Sequence, residues 1–281
     1  MNSDVMVEAL PVPGVPGAEM REVRSLPETL EGAVRVGGYS VARRGALLQT
    51  VPQVARFLIT EGRLIEFVRQ EGSDPLAVEQ FLSGSARAAL IHQRGGLPLH
   101  AACLRHPSGD FAVTIAGHSG AGKSTLAAEL VRRGWGLLGD DVTPLFADQG
   151  RVMAWPSKGS LKLWRDACER FEISTNTLQA LPGERDKYLL PVVVPTEPVR
   201  LGYIFLLDRR NSAGVVAIDG PARFVMLTEN TYKPHYLTGM GCVQTHFQIC
   251  CQLAAAVGMA TLHCSGPVKE SADLLTISCA L

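Results

Sequence analysis

The chain has 281 residues, with 27 Lys+Arg against 27 Asp+Glu, so its formal net charge is zero. That balance excludes a protein that holds nucleic acid through bulk charge, which needs a clear basic excess, and it equally excludes a strongly acidic chain. Hydrophobic residues make up 46% and charged ones 19%, a composition that supports a buried core in one large domain or two small ones and not a disordered chain.

In chain order, residues 1–30 are punctuated by Pro and Gly with no sustained period, and the segment LPVPGVPG at 10–17 reads as a flexible or polyproline tail. No basic region leads into an apolar stretch, so no signal peptide is expected. The apolar runs near 203–207 and 253–260 fall far short of the roughly 20 residues of a spanning helix, so no membrane association is expected. From Ala33 to Thr50 the spacing of Val34, Val36, Tyr39, Val41, Leu47 and Leu48, broken by Gly37-Gly38 and Gly45, predicts short strands. Leu76, Phe81, Leu82, Ala86, Ala89 and Leu90 recur at helical spacing after Asp74-Pro75, which predicts a helix over 75–93.

A strand, a glycine-rich loop, a helix and a second strand are then expected over 111–116, 117–122, 123–133 and 136–138, with a further strand at 142–146. Beyond residue 150 the pattern predicts mixed short strands and turns, one helix near Leu163–Arg170, a clear strand at 199–208, a helix at 243–257 and a strand at 260–264. Seven cysteines, none in a C-x-x-C pair, read as small buried hydrophobes in a reducing cytoplasm, with a structural zinc site or disulfide framework as the alternative.

The strongest motif is Gly117-His-Ser-Gly-Ala-Gly-Lys-Ser124, which fits G-x-x-x-x-G-K-S/T at every fixed position. An apolar strand before it and a helix after it are the context the motif requires. Its glycines let successive backbone N–H groups turn toward one anion, and the helix start adds its positive dipole end. Gly117, Ser119, Gly120, Ala121, Gly122, Lys123, Ser124 and Thr125 are therefore candidate nucleotide-binding residues, with Lys123 neutralising phosphate charge and Ser124 a ligand for Mg2+.

Asp140-Asp141 follow a short apolar strand, where carboxylates hold Mg2+ or accept a proton from an attacking hydroxyl; a plain turn is the alternative. His100, in LPLHAAC just upstream, reads by itself as an ordinary core histidine. Lys187 and Arg185, in PGERDK, sit in a mixed-charge turn that is either a solvated loop or a source of positive charge for a phosphoryl transition state. Arg223 and Lys233 are weaker candidates for the same task, and the stretch 231–236 reads as a packed loop.

The combination of an upstream His, the run GHSGAGKSTLAAELVRRG and then LLGDDV resembles the kinase domain of the HPr kinase/phosphorylase family over about 100–145. Trp155-Pro156, LKLW at 161–164 and Asp186-Lys187-Tyr188 resemble the shorter HPr-kinase-like proteins of peptide-modification systems, including kinases for the C-terminal serine of lasso-peptide precursors. The resemblance implies an α/β fold: a P-loop kinase domain at 97–281, a smaller divergent N-terminal α/β domain at 31–96 and a tail at 1–30. It implies that Lys123 and Ser124 bind phosphates and metal, that Asp141 accepts the proton, that Asp140 supports the metal, and that His100 sits near the transferred phosphate. The family's later run with a metal-binding Glu before Arg-Gly-Leu-Gly is missing. Glu184 and Asp186 are weak substitutes for that second ligand, and a phosphorylase activity and a hexamer are not expected to carry over.

The leading expectation is a cytoplasmic kinase using ATP and Mg2+ on a serine of a peptide or small protein, with no nucleic-acid or membrane partner and with further copies of the chain as an optional partner. Two alternatives stay open: a small-molecule kinase, and a nucleotide-binding regulatory module without transfer.

Overall fold

The computed structural model describes residues 9–210 and 212–279. The chain divides into two compact units, one formed by the segment up to Gly96 with Lys233–Phe247, the other by Leu97–Tyr232 with Gln248 onward.

The first unit is built on a seven-stranded sheet. Its strands are β1 (Leu10–Pro11), β2 (Glu19–Glu22), β3 (Val34–Arg35), β4 (Ser40–Arg43), β5 (Ala46–Val51), β6 (Ala55–Thr60) and β7 (Leu64–Arg69), in the order β1-β2-β7-β6-β5-β4-β3. The stretch expected as a free tail is thus partly sheet. Met20 lies opposite Ile65 and Glu22 opposite Phe67 in a parallel pair, and the Arg21 guanidinium meets Glu66 Oε1 at 2.7 Å. Val12, Val15 and Ala18 are buried, so the Pro/Gly turns serve to fold the segment back on itself. Residues 1–8 of that expectation lie outside the described residues. In β6, Phe57 and Ile59 are fully buried and alternate with the more exposed Arg56 and Thr60, the period of a strand with one face on the core.

Helix α1 (Pro75–Phe81) starts at Asp74, whose side chain accepts from the Leu76 N–H at 2.8 Å, with Pro75 at the first helical position. It continues through a π-turn at Leu82–Ala86 into α2 (Arg87–Gln93). The single helix expected over 75–93 therefore forms with a wider turn at its middle, where Gly84 and Ser85 are buried.

The second unit is mixed α/β. Its elements run β8 (Leu97–Leu99), β9 (Ala101–Arg105), β10 (Ala112–Ala116), α3 (Lys123–Arg132), β11 (Gly136–Gly139), β12 (Thr143–Asp148), β13 (Arg151–Ala154), β14 (Ser160–Trp164), α4 (Arg165–Arg170), β15 (Gln179–Ala180), β16 (Lys187–Pro191), β17 (Val199–Arg209), β18 (Gly214–Ala217) and α5 (Pro221–Glu229). The chain then passes through α6 (Tyr236–Met240), which groups with the first unit, and α7 (Val243–Ala256), before β19 (Gly258–Cys264) and α8 (Val268–Ser278). Residues 233–247, expected inside the catalytic domain, thus group with the other unit.

The main sheet of this unit has nine strands, ordered β11-β9-β10-β17-β13-β12-β8, with β19 also on β17 and β18 on β19. Strand β17 is its hub: it runs parallel to both β10 and β19. Period-2 alternation in β10 sends Val113 and Ile115 to one face, with Leu126 and Leu130 of α3 and Leu275 of α8. Ala112 and Ala116 go to the other, with Leu227, Ile249 and Leu253. Each fully buried aliphatic side chain of this kind stabilises by about 1.5–3 kcal/mol, which makes β10 a rigid base for the loop that follows it.

A smaller three-stranded sheet, ordered β14-β16-β15, covers α3. Leu161 and Leu163 of β14 enter the core beside Leu126, so Lys162 and Trp164 point to the opposite face. The helix expected near Leu163–Arg170 accordingly starts only at Arg165. Residues 163 and 164 belong to a strand, because their alternation is in–out and Leu163 pairs with Tyr188.

Candidate active site

Strand β10 ends at Ala116 and the loop Gly117–Gly122 leads directly into α3. Gly117 has φ 139°, and a Cβ there would lie 2.7 Å from the Leu207 carbonyl oxygen, so only glycine lets the loop leave the sheet against β17. His118, Ser119 and Gly120 form the exposed crest, while Ala121, Gly122, Ser124 and Thr125 are half-buried around the helix start. The Lys123 side chain folds back over its own loop, donating to the carbonyls of Gly117 at 2.7 Å and His118 at 3.1 Å. Burial pulls the Lys123 pKa below its ordinary value, against the opposing pull of Asp140 and Asp141. An ammonium with little water and two neutral carbonyl partners can exchange them for a charged phosphate.

The Arg133-Gly134 pair next to this helix proves structural. Arg133 donates to Glu129 at 2.8 Å, to Asp273 at 2.6 Å and to the Lys269 carbonyl, clamping α3 to α8, and Gly134 ends the helix at φ 88°.

Asp140 and Asp141 lie between β11 and β12. Gly139 packs closely just before them: a Cβ there would meet Ser157 Oγ at 2.1 Å and force that hydroxyl to turn away. Asp140 is half-buried with both oxygens occupied: Oδ1 accepts from Ser124 Oγ at 3.1 Å, and Oδ2 accepts from the Lys162 backbone N–H at 2.9 Å. Burial raises its pKa, and the neighbouring Asp141 charge adds to the effect. Asp141 adopts φ 82°, a left-handed conformation that Asp tolerates better than most residues yet still at a cost of about 1 kcal/mol or more. Its Oδ2 meets the Lys162 ammonium at 2.6 Å. Burial alone would raise the Asp141 pKa, but the Lys162 ammonium outweighs it and holds the carboxyl below its ordinary value.

His100 sits at the break between β8 and β9, its backbone N–H tied to the Asn230 carbonyl at 2.8 Å and its ring edge-on to Tyr232. Its Nε2 lies 3.6 Å from Asp141 Oδ1. Burial lowers its pKa from 6.5; Asp141 opposes that shift, while Lys123, Lys162 and Lys187 reinforce it. Burial thus favours the neutral ring. Lys187, across β14–β16 from Trp164, holds its ammonium 4.9 Å over that indole and 3.3 Å from Glu184. Its charge is felt at His100, Lys123 and Asp141.

The other sequence candidates fall elsewhere. Asp186 is held by Arg165 at 2.8 Å and Glu184 by Lys187, so neither is a free carboxylate beside Asp140. Arg185 is exposed in the turn. Arg223 donates to the Val257 carbonyl, which occupies it as a structural tie, and Lys233 belongs to the first unit. Two residues escaped the sequence reading as site candidates. Lys162 touches both aspartates but stands alone in an apolar strand pattern. Arg209, at the end of β17, donates to the Ala121 carbonyl at 3.4 Å and lies beside Gly122. For Lys162 the one available signal was a lysine alternating with inward leucines.

Among the described residues no cluster of three or more His, Cys, Asp or Glu forms a protein-only metal cage. The paired oxygens of Ser124 and Asp140 are hard donors 3.1 Å apart, which suits Mg2+, an ion that takes one or two protein oxygens and completes its octahedron with water and phosphate. On the other side of the loop, a groove of about 220 Å3 runs past Gly122 and Thr125, floored by Leu207 and Val268 and flanked by Arg209 and Ser265.

All seven cysteines are free; five are buried, Cys251 is exposed and Cys264 half-buried. No described helix is long and apolar enough to cross a membrane.

No protein-family model matches the chain. No curated protein matches it in sequence. Among solved structures it is similar to the Hpr(Ser) kinase/phosphatase from Coxiella burnetii, with 13% identity and a TM-score of 0.33 over 64% of this chain and 92% of that one. A likeness at that level leaves the activity to be argued from the site.

Proposed function

We propose that the protein is an ATP- and Mg2+-dependent kinase that transfers a phosphoryl group to a serine hydroxyl of a peptide or small protein. The observation that carries this reading is the continuous contact chain from the phosphate loop to a candidate base: Ser124 to Asp140, Asp140 to Lys162, and Lys162 to Asp141, with His100 alongside. Two acidic groups in different electrostatic states stand beside a lysine and a row of glycine N–H groups, which is the equipment phosphoryl transfer requires. The motif-level resemblance to HPr-type kinases supports the same reading, and its peptide-modifying branch, including the lasso-peptide precursor kinases, suggests the substrate.

In this mechanism the loop N–H groups and Lys123 hold the donor's phosphates, and Arg209 offers a further cation at the Ala121 side. The groove beside Thr125 accommodates the nucleoside. Ser124 and Asp140 would hold Mg2+, which when bound supplies charge neutralisation to the phosphates. Asp141 orients the acceptor hydroxyl and takes its proton as the new oxygen–phosphorus bond forms and the bond to the departing nucleoside diphosphate breaks. A carboxylate held ionised by Lys162 is a weak base. It suffices where the transition state is loose and the proton leaves late. His100, beside Asp141 Oδ1 at 3.6 Å, offers a ring nitrogen for a hydrogen bond next to the acceptor hydroxyl. A protein with this function binds nucleotide normally as Asp141→Asn but transfers phosphate to the peptide about 10²-fold more slowly. Transfer at the wild-type rate by that variant would contradict the assignment.

A further inference from the structure

We infer that Lys162 is a built-in cation that stands where a second metal ion would otherwise sit, and that it positions Asp141 for transfer. The inference rests on the kinase reading above and goes beyond it, because it fixes how many metal ions the site takes and which side chain replaces the other.

The geometry leaves little choice. Of the four carboxylate oxygens of Asp140 and Asp141, two are taken by Lys162: Asp140 Oδ2 by its backbone N–H at 2.9 Å and Asp141 Oδ2 by its ammonium at 2.6 Å. A third, Asp140 Oδ1, faces Ser124 Oγ at 3.1 Å. A divalent ion entering between Ser124 and Asp140 replaces only that one hydrogen bond. An ion bound to Asp141 through Oδ2 has to expel an ammonium already in place, against the repulsion of its own double charge. The fourth oxygen, Asp141 Oδ1, lies toward His100 and is the one left for an acceptor hydroxyl.

Lys162 is also held firmly enough to act this way. Strand β14 is an edge of its sheet, so the Lys162 N–H that points away from β16 is free to reach Asp140. Leu161 and Leu163 are buried on either side of it, and a one-residue slip of the strand would drive the lysine into the core. The side chain is only 27% exposed, so its charge acts at short range with reduced screening. In positioning terms, the bond to Oδ2 fixes the rotation of the Asp141 carboxylate and thereby aims Oδ1.

The test has two arms. Binding of Mn2+ to the wild-type protein saturated with a non-transferable ATP analogue, followed by electron paramagnetic resonance, is expected to give one ion per chain; two ions overturn the inference. In kinetics, Lys162→Met is expected to lower kcat on the order of 10²-fold with nucleotide KM changed by no more than about twofold, and added ethylamine is expected to restore part of kcat. Wild-type kcat in a folded Lys162→Met protein overturns the inference. So does a loss that ethylamine leaves untouched while nucleotide binding weakens in parallel, which marks a purely structural residue. Should Lys162→Met fail to fold, the ion count still decides. Should the wild-type protein phosphorylate no peptide at all, it is the kinase reading that fails, and the ion count again stands apart from it.

Discussion

The two halves of the site are built in different ways. The phosphate loop is local: eight successive residues, three of them glycines with positive φ, hold their own lysine through carbonyls no more than six residues away. The acceptor half is assembled from distant segments. His100, Asp141 and Lys162 come from three separate parts of the chain and meet only because β9, β11 and β14 pack around α3. The local half draws its geometry mostly from its own backbone, whereas the assembled half depends on every element that carries it. Binding and transfer are therefore expected to separate under mutation.

The largest effect is expected in the local half. Lys123→Met removes the one buried cation of the loop, and transfer is expected to fall on the order of 10³-fold with weakened nucleotide binding, read by phosphopeptide mass spectrometry and by a fluorescent-nucleotide titration. Next comes Asp141→Asn, which keeps the left-handed backbone that Asn also tolerates. Transfer is expected to drop about 10²-fold while nucleotide affinity stays as in the wild type. Equal losses in both measurements would erase the distinction between the halves.

Removing part of the shared base should damage both halves together. Ile115→Ala, in the fully buried middle of β10, is expected to destabilise by about 2–5 kcal/mol in urea unfolding. His100 gives a gentler probe. Burial lowers its pKa from 6.5, so the imidazole gains charge only as pH falls below that value, and it does so next to three lysines. The transfer rate is expected to be flat around neutrality and to decline on the acid side of pH 6.5, and His100→Gln is expected to flatten that limb; the Asp141 limb lies lower still, because its carboxyl is held below the ordinary range. The smallest effect belongs to Thr114, whose fully buried hydroxyl has no hydrogen-bond partner. Thr114→Val is expected to leave stability unchanged or raise it by up to about 1 kcal/mol.

The contrast between the halves also explains what the sequence disclosed. The loop, its flanking strand and helix, and the Asp pair after β11 are consecutive along the chain, so spacing alone located them. Lys162 is 21 residues from Asp141 and falls just before the helix that the sequence predicts near Leu163–Arg170, so nothing local marks it. What brings it to the aspartates is a strand edge, and an edge exists only once β16 has paired on the other side. The first unit shows the same limit. β2 joins β7 across 45 residues in a parallel pair, and no local signal in a Pro/Gly-rich stretch announces such a partner. The return of residues 233–247 to that unit is likewise a tertiary fact. Arg133, the last arginine of the run GHSGAGKSTLAAELVRRG, clamps two helices through Asp273, a partner 140 residues away that the run does not reveal.

The central claim is that the assembled half performs transfer from a nucleotide held by the local half. Its most direct measurement is mass spectrometry of a precursor peptide with a candidate acceptor serine, incubated with ATP, Mg2+ and either the wild-type protein or Asp141→Asn. The account predicts one phosphate on the peptide with the wild type and transfer slowed about 10²-fold with the variant, although the variant still binds nucleotide. Phosphate appearing at the same rate with both proteins would contradict it.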